Sequence, residues 1–229
     1  MTRVTSNQAP GTGVFRHKVT GTGAAAMRLL RRIAAFFPVL FLAAACTSEW
    51  ATDYGEPLDR SVTGNWRITR VSVSVPDTLT VSEENRFAPN ADIVWHGDLP
   101  GDRRAQVRTI VSQAARKATS GLNGSQNAEL VIAVTKFHSV TPITMARAPE
   151  AVHDITMTAQ VRDRQSGAAL TPPTLIRADL PALVREDALQ AEQFGIPQKE
   201  QISRHITAVF KGWLGIGPDV RNTFVSVGR

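Results

Sequence analysis

The sequence has little cysteine, few aromatic residues and no long hydrophobic run. Its 229 residues include one cysteine, Cys46, so an intramolecular disulfide and a cysteine-based metal site are both excluded. Aromatic residues make up 6% of the chain, which argues against a surface that stacks nucleic-acid bases. The apolar run before Cys46, residues 33–45, is too short for a transmembrane helix, which needs about 20 residues.

Acidic residues are absent from the first 45 positions, which hold six of the 26 basic side chains. The remaining residues carry 20 basic and 20 acidic groups, so their net charge is zero. The formal net charge of +6 therefore belongs to the N-terminal segment. Without a bulk positive charge on the rest of the chain, we expect no nucleic-acid partner.

Residues 27–45 have the pattern of a bacterial signal peptide. A basic stretch beginning at Met27 is followed by the apolar run, and small residues precede Cys46. Residues 1–26 have no periodic apolar pattern and lie ahead of the basic stretch. We interpret them as a mis-assigned N-terminal extension, with Met27 as the true first residue.

The position of the cysteine makes this signal more specific. Residues 42–46, Leu-Ala-Ala-Ala-Cys, resemble the lipobox of bacterial lipoproteins. The resemblance implies that Cys46 receives a diacylglycerol, becomes the mature N-terminus and anchors the protein to a membrane. Ala43 and Ala45 also satisfy the ordinary A-x-A cleavage pattern, which would leave a free thiol. We favour lipidation, and Thr47 after the cysteine resembles lipoproteins sent to the periplasmic face of the outer membrane.

Residues 46–64 lack apolar periodicity and are predicted to be a tether, followed by a single α+β periplasmic domain over residues 65–229. Helical spacing of apolar residues predicts one helix after the N-cap Asp102 and a second over residues 198–213. Strands are predicted over 67–75, with a bulge near Thr69, and over 92–96, 129–140, 151–162 and 174–180. This succession predicts an antiparallel sheet of about four to five strands, with the two amphipathic helices packed on one face as a two-layer fold.

Two histidines are brought together by one register of the predicted hairpin. If Leu130 pairs with Val161, then His138 lies opposite His153, close enough to share a metal. The sequence places no third ligand beside them, and a shift by one residue separates them. We therefore expect no metal and no cofactor.

Basic residues are concentrated on the first predicted helix. Arg103 and Arg104 occupy its first turn, where the helix dipole disfavours positive charge, and Arg108 follows one turn later. A costly placement of this kind can mark contact with an anionic partner, such as lipid headgroups. Alternatively, acidic residues elsewhere in the fold pair with these arginines.

No catalytic residue is nominated by the sequence. It contains no Gly-x-Ser-x-Gly elbow, no phosphate-binding glycine loop and no His-Glu-x-x-His motif. Residues assembled from distant positions would escape such a search. Catalysis is therefore unsupported, and the leading hypothesis is a non-catalytic module.

Four segments carry a family resemblance: residues 50–76, 87–98, 151–173 and 212–218. Together they resemble an uncharacterised family, a domain of unknown function found in small Gram-negative lipoproteins, which implies no particular activity. The strand order and the Asp-x-x-Ser-Gly turn are also similar to small α+β lipoproteins that support envelope assembly or transport. The leading hypothesis is a lipid-anchored binding or accessory module with an envelope protein partner; the alternative is an envelope hydrolase with an unrecognised active site.

Overall fold

The computed structural model describes residues 48–226, which form nine strands and five helices. The strands are β1 Ser48–Asp53, β2 Trp66–Ser74, β3 Val81–Ser82, β4 Ile93–Val94, β5 Gln126–His138, β6 Val152–Asp163, β7 Thr174–Ala178, β8 Leu180–Pro181 and β9 Asn222–Ser226. The helices are α1 Arg60–Thr63, α2 Arg103–Thr119, α3 Pro142–Arg147, α4 Arg185–Gln193 and α5 Gln198–Trp213. The predicted α+β class is confirmed.

The sheet is larger than predicted, and it is mixed. Its strands lie in the order β3-β4-β5-β6-β7-β1-β9, while β2 pairs with another part of β5 and β8 pairs with β6. The prediction of four to five antiparallel strands was wrong because β2, β3 and β4 all join the sheet in parallel pairings. Helix α2 forms part of the crossover from β2 to β5, since parallel neighbours cannot be joined by a tight turn.

Irregularities in the long strands decide which residues face each other. The bulge predicted near Thr69 is confirmed, because the β2–β5 register shifts between Ile68 and Arg70. The predicted pairing of Leu130 with Val161 is also confirmed. A second irregularity, between Val134 and Lys136, then shifts the remainder of the hairpin.

Helices α2 and α5 pack together on the sheet and enclose the main hydrophobic core. Each buries an apolar stripe, and these stripes meet the inward-facing side chains of β2, β5, β6 and β7. Asp102 caps α2 as predicted, with its side chain accepting a hydrogen bond from the backbone N–H of Ala105. Both hydrophobic clusters consist of residues between Tyr54 and Val220, so the domain has a complete core of its own.

The segment predicted to be a tether belongs to the folded domain. Strand β1 lies in the sheet between β7 and β9. Tyr54 is fully buried, donates a hydrogen bond to Asp219 Oδ1 at 2.7 Å and packs closely on Gly212. The prediction of a tether was therefore wrong for residues 48–64, because long-range pairing and the aromatic anchor Tyr54 hold them.

Several predictions fall outside the described residues. The extension over 1–26, the signal peptide over 27–45 and the lipid attachment at Cys46 all precede residue 48. Within the described residues, no helix is long and apolar enough to cross a membrane.

Candidate functional site: an apolar groove

An apolar groove of about 490 Å³ lies between short helices at one end of the sheet. Its walls come from α3, α4 and the first turn of α5, and His96 and Gly97 after β4 complete it. The apolar part of the lining is Gly97, Pro142, Met145, Ala146, Ala188, Leu189 and Pro197. This volume lies within the range of pockets that bind small molecules, about 300–1,000 Å³.

Gly97 is required for the shape of the groove beside Trp95. A Cβ atom at this position would collide with the buried Trp95 ring. The Trp95 indole donates to Asp98 Oδ2 at 2.9 Å, and Lys199 Nζ donates to Asp98 Oδ1 at 2.6 Å. The loop after β4 is thereby fastened to the start of α5, which holds two sides of the groove at a fixed spacing.

Two residues that line the groove bury polar atoms without hydrogen-bond partners in the described part of the chain. They are His96 Nε2 and Gln198 Oε1. The amide of Gln198 uses only its nitrogen, which donates to the Val140 carbonyl at 3.1 Å. Both atoms are enclosed by the surrounding protein, so the groove is lined by other atoms of these two side chains.

Helix α4, the outer wall of the groove, is weakly held. It begins at Arg185, whose φ of 54° lies in the left-handed region that non-glycine residues rarely adopt. It has no side-chain N-cap, and its buried residues are Ala188 and Ala191. Arg185 Nη2 donates to the Arg147 carbonyl at 3.1 Å and joins α4 to α3. A helix with so few buried contacts can move at low cost, which suits the wall of a binding site.

Exposed hydrophobic side chains surround this end of the domain. Leu189 and Phe194, on and just after α4, are 62% and 78% exposed. Leu183 precedes α4, and Phe87 lies over α3, where its carbonyl accepts a hydrogen bond from Thr144 Oγ1. Large apolar side chains grouped around a groove indicate a binding surface, whereas isolated ones do not.

Two of the three arginines of the predicted anionic contact on α2 are bonded inside the domain. Arg103 is 4% exposed and forms a two-point ion pair with Glu83, at 2.6 and 2.8 Å. Arg104 donates to the backbone carbonyls of Asp77 and Leu79. Arg108 is exposed. For Arg103, the structure confirms the alternative that an acidic residue elsewhere in the fold pairs with it.

The predicted contact between His138 and His153 does not form. The irregularity after Val134 sets His138 opposite Asp154, while His153 pairs with Leu180 of β8. His138 Nδ1 lies 3.2 Å from the Ala91 carbonyl. One extra residue in a strand is enough to separate a cross-strand pair.

A buried polar cluster joins β1, β6 and α5 around Asp179. Its carboxylate accepts hydrogen bonds from the backbone N–H groups of Ala51 and Ile155, both at 3.1 Å. Thr52 Oγ1 donates to the Asp179 carbonyl and lies 3.1 Å from His205 Nε2. Since the Thr52 proton is already used, His205 must donate through Nε2. Burial raises the pKa of Asp179.

Acid is expected to destabilise the domain through two buried histidines near this cluster. Burial lowers the pKa of His153 to about 3, with repulsion from His205 adding to the effect, and burial lowers the pKa of His205 to about 4. The unfolded chain takes up these protons near pH 6.5 and the folded chain does not, so stability falls as the pH drops from about 6.5 to 4. The raised pKa of Asp179 acts in the opposite direction.

This pH dependence can be measured by urea unfolding between pH 7.5 and pH 5. We expect each histidine to contribute about 2 kcal/mol to the loss at pH 5, because one pKa unit corresponds to about 1.4 kcal/mol. In the His205→Gln variant, which keeps a donor for Thr52, the loss should be smaller by about 2 kcal/mol. An unchanged pH dependence in this variant would contradict the assignment of part of the acid destabilisation to His205.

The described residues contain no group of three or more histidine, cysteine, aspartate or glutamate side chains that could hold a metal ion.

The groove lining has no serine, threonine or cysteine to act as a nucleophile beside His96. With its largely apolar lining, the groove is suited to bind an apolar molecule. Sequence reasoning did not find this groove, because two of the helices that form it, α3 and α4, are short. The one signal in the sequence was the apolar side chains of Leu189 and Phe194 among polar residues.

The fold is an α+β domain with two long helices over one face of a mixed sheet, and its site is an apolar groove. The chain belongs to a family of unknown function, DUF6778, which matches residues 66–229. The predicted membership in an uncharacterised family is confirmed. No curated protein matches the chain significantly.

Among solved structures, a DUF330 protein from Xanthomonas campestris is similar with 11% identity and a TM-score of 0.43, over 72% of this chain and 91% of its own. A candidate lipoprotein from Caulobacter crescentus CB15 has 16% identity and a TM-score of 0.28, over 47% of this chain and 82% of its own. The PelC dodecamer from Paraburkholderia phytofirmans has 12% identity and a TM-score of 0.31, over 72% of this chain and 96% of its own.

Proposed function

We propose that the protein is a lipid-anchored, non-catalytic binding module of the cell envelope, held by Cys46 at the periplasmic face of the outer membrane. The observation that carries this proposal is the apolar groove bordered by exposed hydrophobic residues. The lipobox resemblance at residues 42–46 supports the anchor. An anchor raises the concentration of the domain near membrane partners without any chemistry of its own.

The lipid anchor would attach the domain to the membrane at the end that carries the groove. Strand β1 runs antiparallel to β7, so its first residues lie beyond the end of β7, next to β8. Ser226, which pairs with Ser48, contacts the Glu150 carboxylate just after α3. Two residues of chain span at most about 7 Å, so Cys46 would hold this end close to the bilayer.

The anchor is tested with the Cys46→Ala variant in the native host. We expect wild-type protein in the membrane fraction, with an N-terminus at Cys46 and a mass increased by its acyl chains. The Cys46→Ala protein should leave the membrane fraction, while Thr47→Ala, beside it, should keep the acyl mass. An unmodified chain beginning at Cys46 would refute the anchor and return thiol chemistry to consideration.

Binding is tested by placing a photocrosslinking amino acid at Ala146, an exposed residue of the groove wall. We expect a specific crosslinked product in intact envelopes. Crosslinking no stronger than from Ala168, an exposed residue in the turn after β6, would count against the groove. Turnover of an envelope substrate by the purified domain would instead favour the hydrolase alternative.

A further inference from the structure

We propose that the exposed hydrophobic residues around the groove dock the domain on the surface of a zwitterionic phospholipid bilayer. This inference deepens the proposed function and rests on it, because the anchor at Cys46 would bring the same end of the domain to a membrane. It adds a second membrane contact, made by the folded domain itself, which would fix the direction in which the groove faces. We call these residues the apolar rim: Phe87, Leu99, Leu183, Leu189, Phe194 and Val225.

The apolar rim lies at one end of the domain. The starts of β1 and β6 and the ends of β5 and β7 meet there, as the antiparallel pairings require. Three rim residues lie on α4 or beside it, two lie in the loops on either side of β4, and Val225 precedes the last residue of β9. The other exposed large hydrophobic residues of the described chain are Val62, before the start of β2 at the opposite end, and Leu175 in β7. Exposed apolar side chains concentrated at one end indicate a contact surface.

The chain that precedes the described domain identifies a bilayer as the surface that the rim meets. Strand β1 begins at Ser48, which pairs with Ser226, the neighbour of Val225 in the rim. Cys46 lies two residues before Ser48, a span of at most about 7 Å. Apolar side chains that bind at a membrane surface enter it to a depth of about 5–10 Å. A lipid on Cys46 would therefore hold the rim within reach of the headgroups.

The charges beside the rim favour a bilayer without net charge. The exposed charged side chains of α4 are one positive and three negative, Arg185, Glu186, Asp187 and Glu192. Anionic headgroups would be repelled by this helix, whereas zwitterionic ones would not. The contact is then driven by apolar side chains leaving water, and salt should not weaken it. This distinguishes it from a charge contact through arginines of α2.

The test follows two matched positions with a fluorescent label that responds to its surroundings. Cys46 is the only cysteine, so residues 47–229 accept one introduced cysteine without competing sites. The reporter is Gln193→Cys, beside Phe194, and the control is Gln165→Cys, in the turn after β6 at the opposite end; both glutamines are exposed. Each position leaves the apolar rim intact. A nitrobenzoxadiazole label is attached to the cysteine.

The labelled proteins are held on phosphatidylcholine vesicles by an N-terminal histidine tag and a nickel-chelating lipid, which replace the acyl anchor. We expect the label at position 193 to shift its emission to the blue and to be quenched by spin-labelled acyl chains, because the rim enters the bilayer surface. The label at position 165 should emit as in water. Equal emission from the two positions would overturn the proposal.

Two double variants show whether the rim itself causes the insertion. With the label at position 193, Leu189→Ser with Phe194→Ser should shift the equilibrium from inserted to water-exposed protein about tenfold or more, because two large apolar side chains no longer leave water. Val62→Ser with Leu175→Ser should insert as the unmodified rim does. All four side chains are largely exposed, so Tm should stay unchanged. Equal insertion by the two double variants would refute the role of the rim.

Lipid composition and salt separate this contact from other partners. Insertion should persist in high salt and should not increase when phosphatidylglycerol is added, because α4 is negatively charged. A requirement for phosphatidylglycerol would overturn the proposal in favour of a charge contact. If the label stayed in water on vesicles, while a photocrosslinking amino acid at Gln193 captured a protein in intact envelopes, the rim would belong to a protein partner.

The outcome does not depend on acylation in the host. If Cys46 is acylated and the label at position 193 stays in water, the docking inference fails and the anchored module stands. If the label inserts and Cys46 is unmodified, the bilayer contact stands and the anchored function fails.

Discussion

Replacing Asp179 by alanine is expected to lower the free energy of unfolding by about 2–6 kcal/mol, because two buried backbone donors lose their acceptor. The carboxylate accepts hydrogen bonds from backbone N–H groups of two different strands, at Ala51 in β1 and Ile155 in β6. Each buried donor left without an acceptor costs about 1–3 kcal/mol. Total stabilities of domains are about 5–15 kcal/mol, so this single change could unfold the protein at its working temperature.

The prediction is checked by urea unfolding of a graded series. Asp179→Asn retains one acceptor oxygen and turns an N–H₂ group towards the other donor, so its loss should be smaller than that of Asp179→Ala. The control is Asp53→Asn, since Asp53 is exposed and accepts from the Gly55 N–H near the surface. If Asp179→Ala were as stable as this control, the carboxylate would not join β1 to β6 as described.

Replacing Arg103 by alanine is expected to cost about 2–4 kcal/mol of stability, since it breaks a largely buried ion pair. The guanidinium is buried and donates to Glu83, to the carbonyls of Asp98 and Leu99, and to Gln106. Breaking a buried ion pair costs about 3–5 kcal/mol, and the exposure of Glu83, which can regain water, reduces that figure. Arg103→Lys should lose part of this amount, because lysine cannot form the two-point pair.

Arg108→Ala provides the matched control for this prediction. Arg108 lies on the same helix and is exposed, so its removal should change stability by less than about 0.5 kcal/mol. Thermal and urea unfolding of the three variants give the comparison. If Arg103→Ala and Arg108→Ala were equally stable, the role of Arg103 as a buried clamp would be refuted.

Features that depend on local pattern were predictable from the sequence. The boundaries of α5 follow directly from apolar spacing over residues 198–213, and the structure has the same limits. Asp102 acts as the expected N-cap of α2, and the Asp163–Gly167 turn forms with Gly167 at a φ of 73°. In each case, the residues that determine the conformation lie within a few positions of one another.

Features that depend on long-range pairing were not predictable. Strand β1 has no clear periodicity, and the pairing partners that fix it, β7 and β9, are more than 120 residues away in the chain. The separation of His138 from His153 depends on the register shift between Val134 and Lys136. No residue in β5 indicates from the sequence that the shift occurs there. The pattern of predicted elements likewise did not show that α2 lies in a crossover between two parallel strands.

The sequence by itself determined the α+β class, the two long helices, the N-terminal signal pattern and the family resemblance, because these depend on composition and short-range spacing. Only the tertiary structure decided that Arg103 is buried, that residues 48–64 belong to the domain and that α3, α4 and α5 meet at a groove. The physical reason is that burial and cavity shape arise from contacts between residues far apart in the chain. A short helix such as α4, whose buried residues are two alanines, acquires its role only through those contacts.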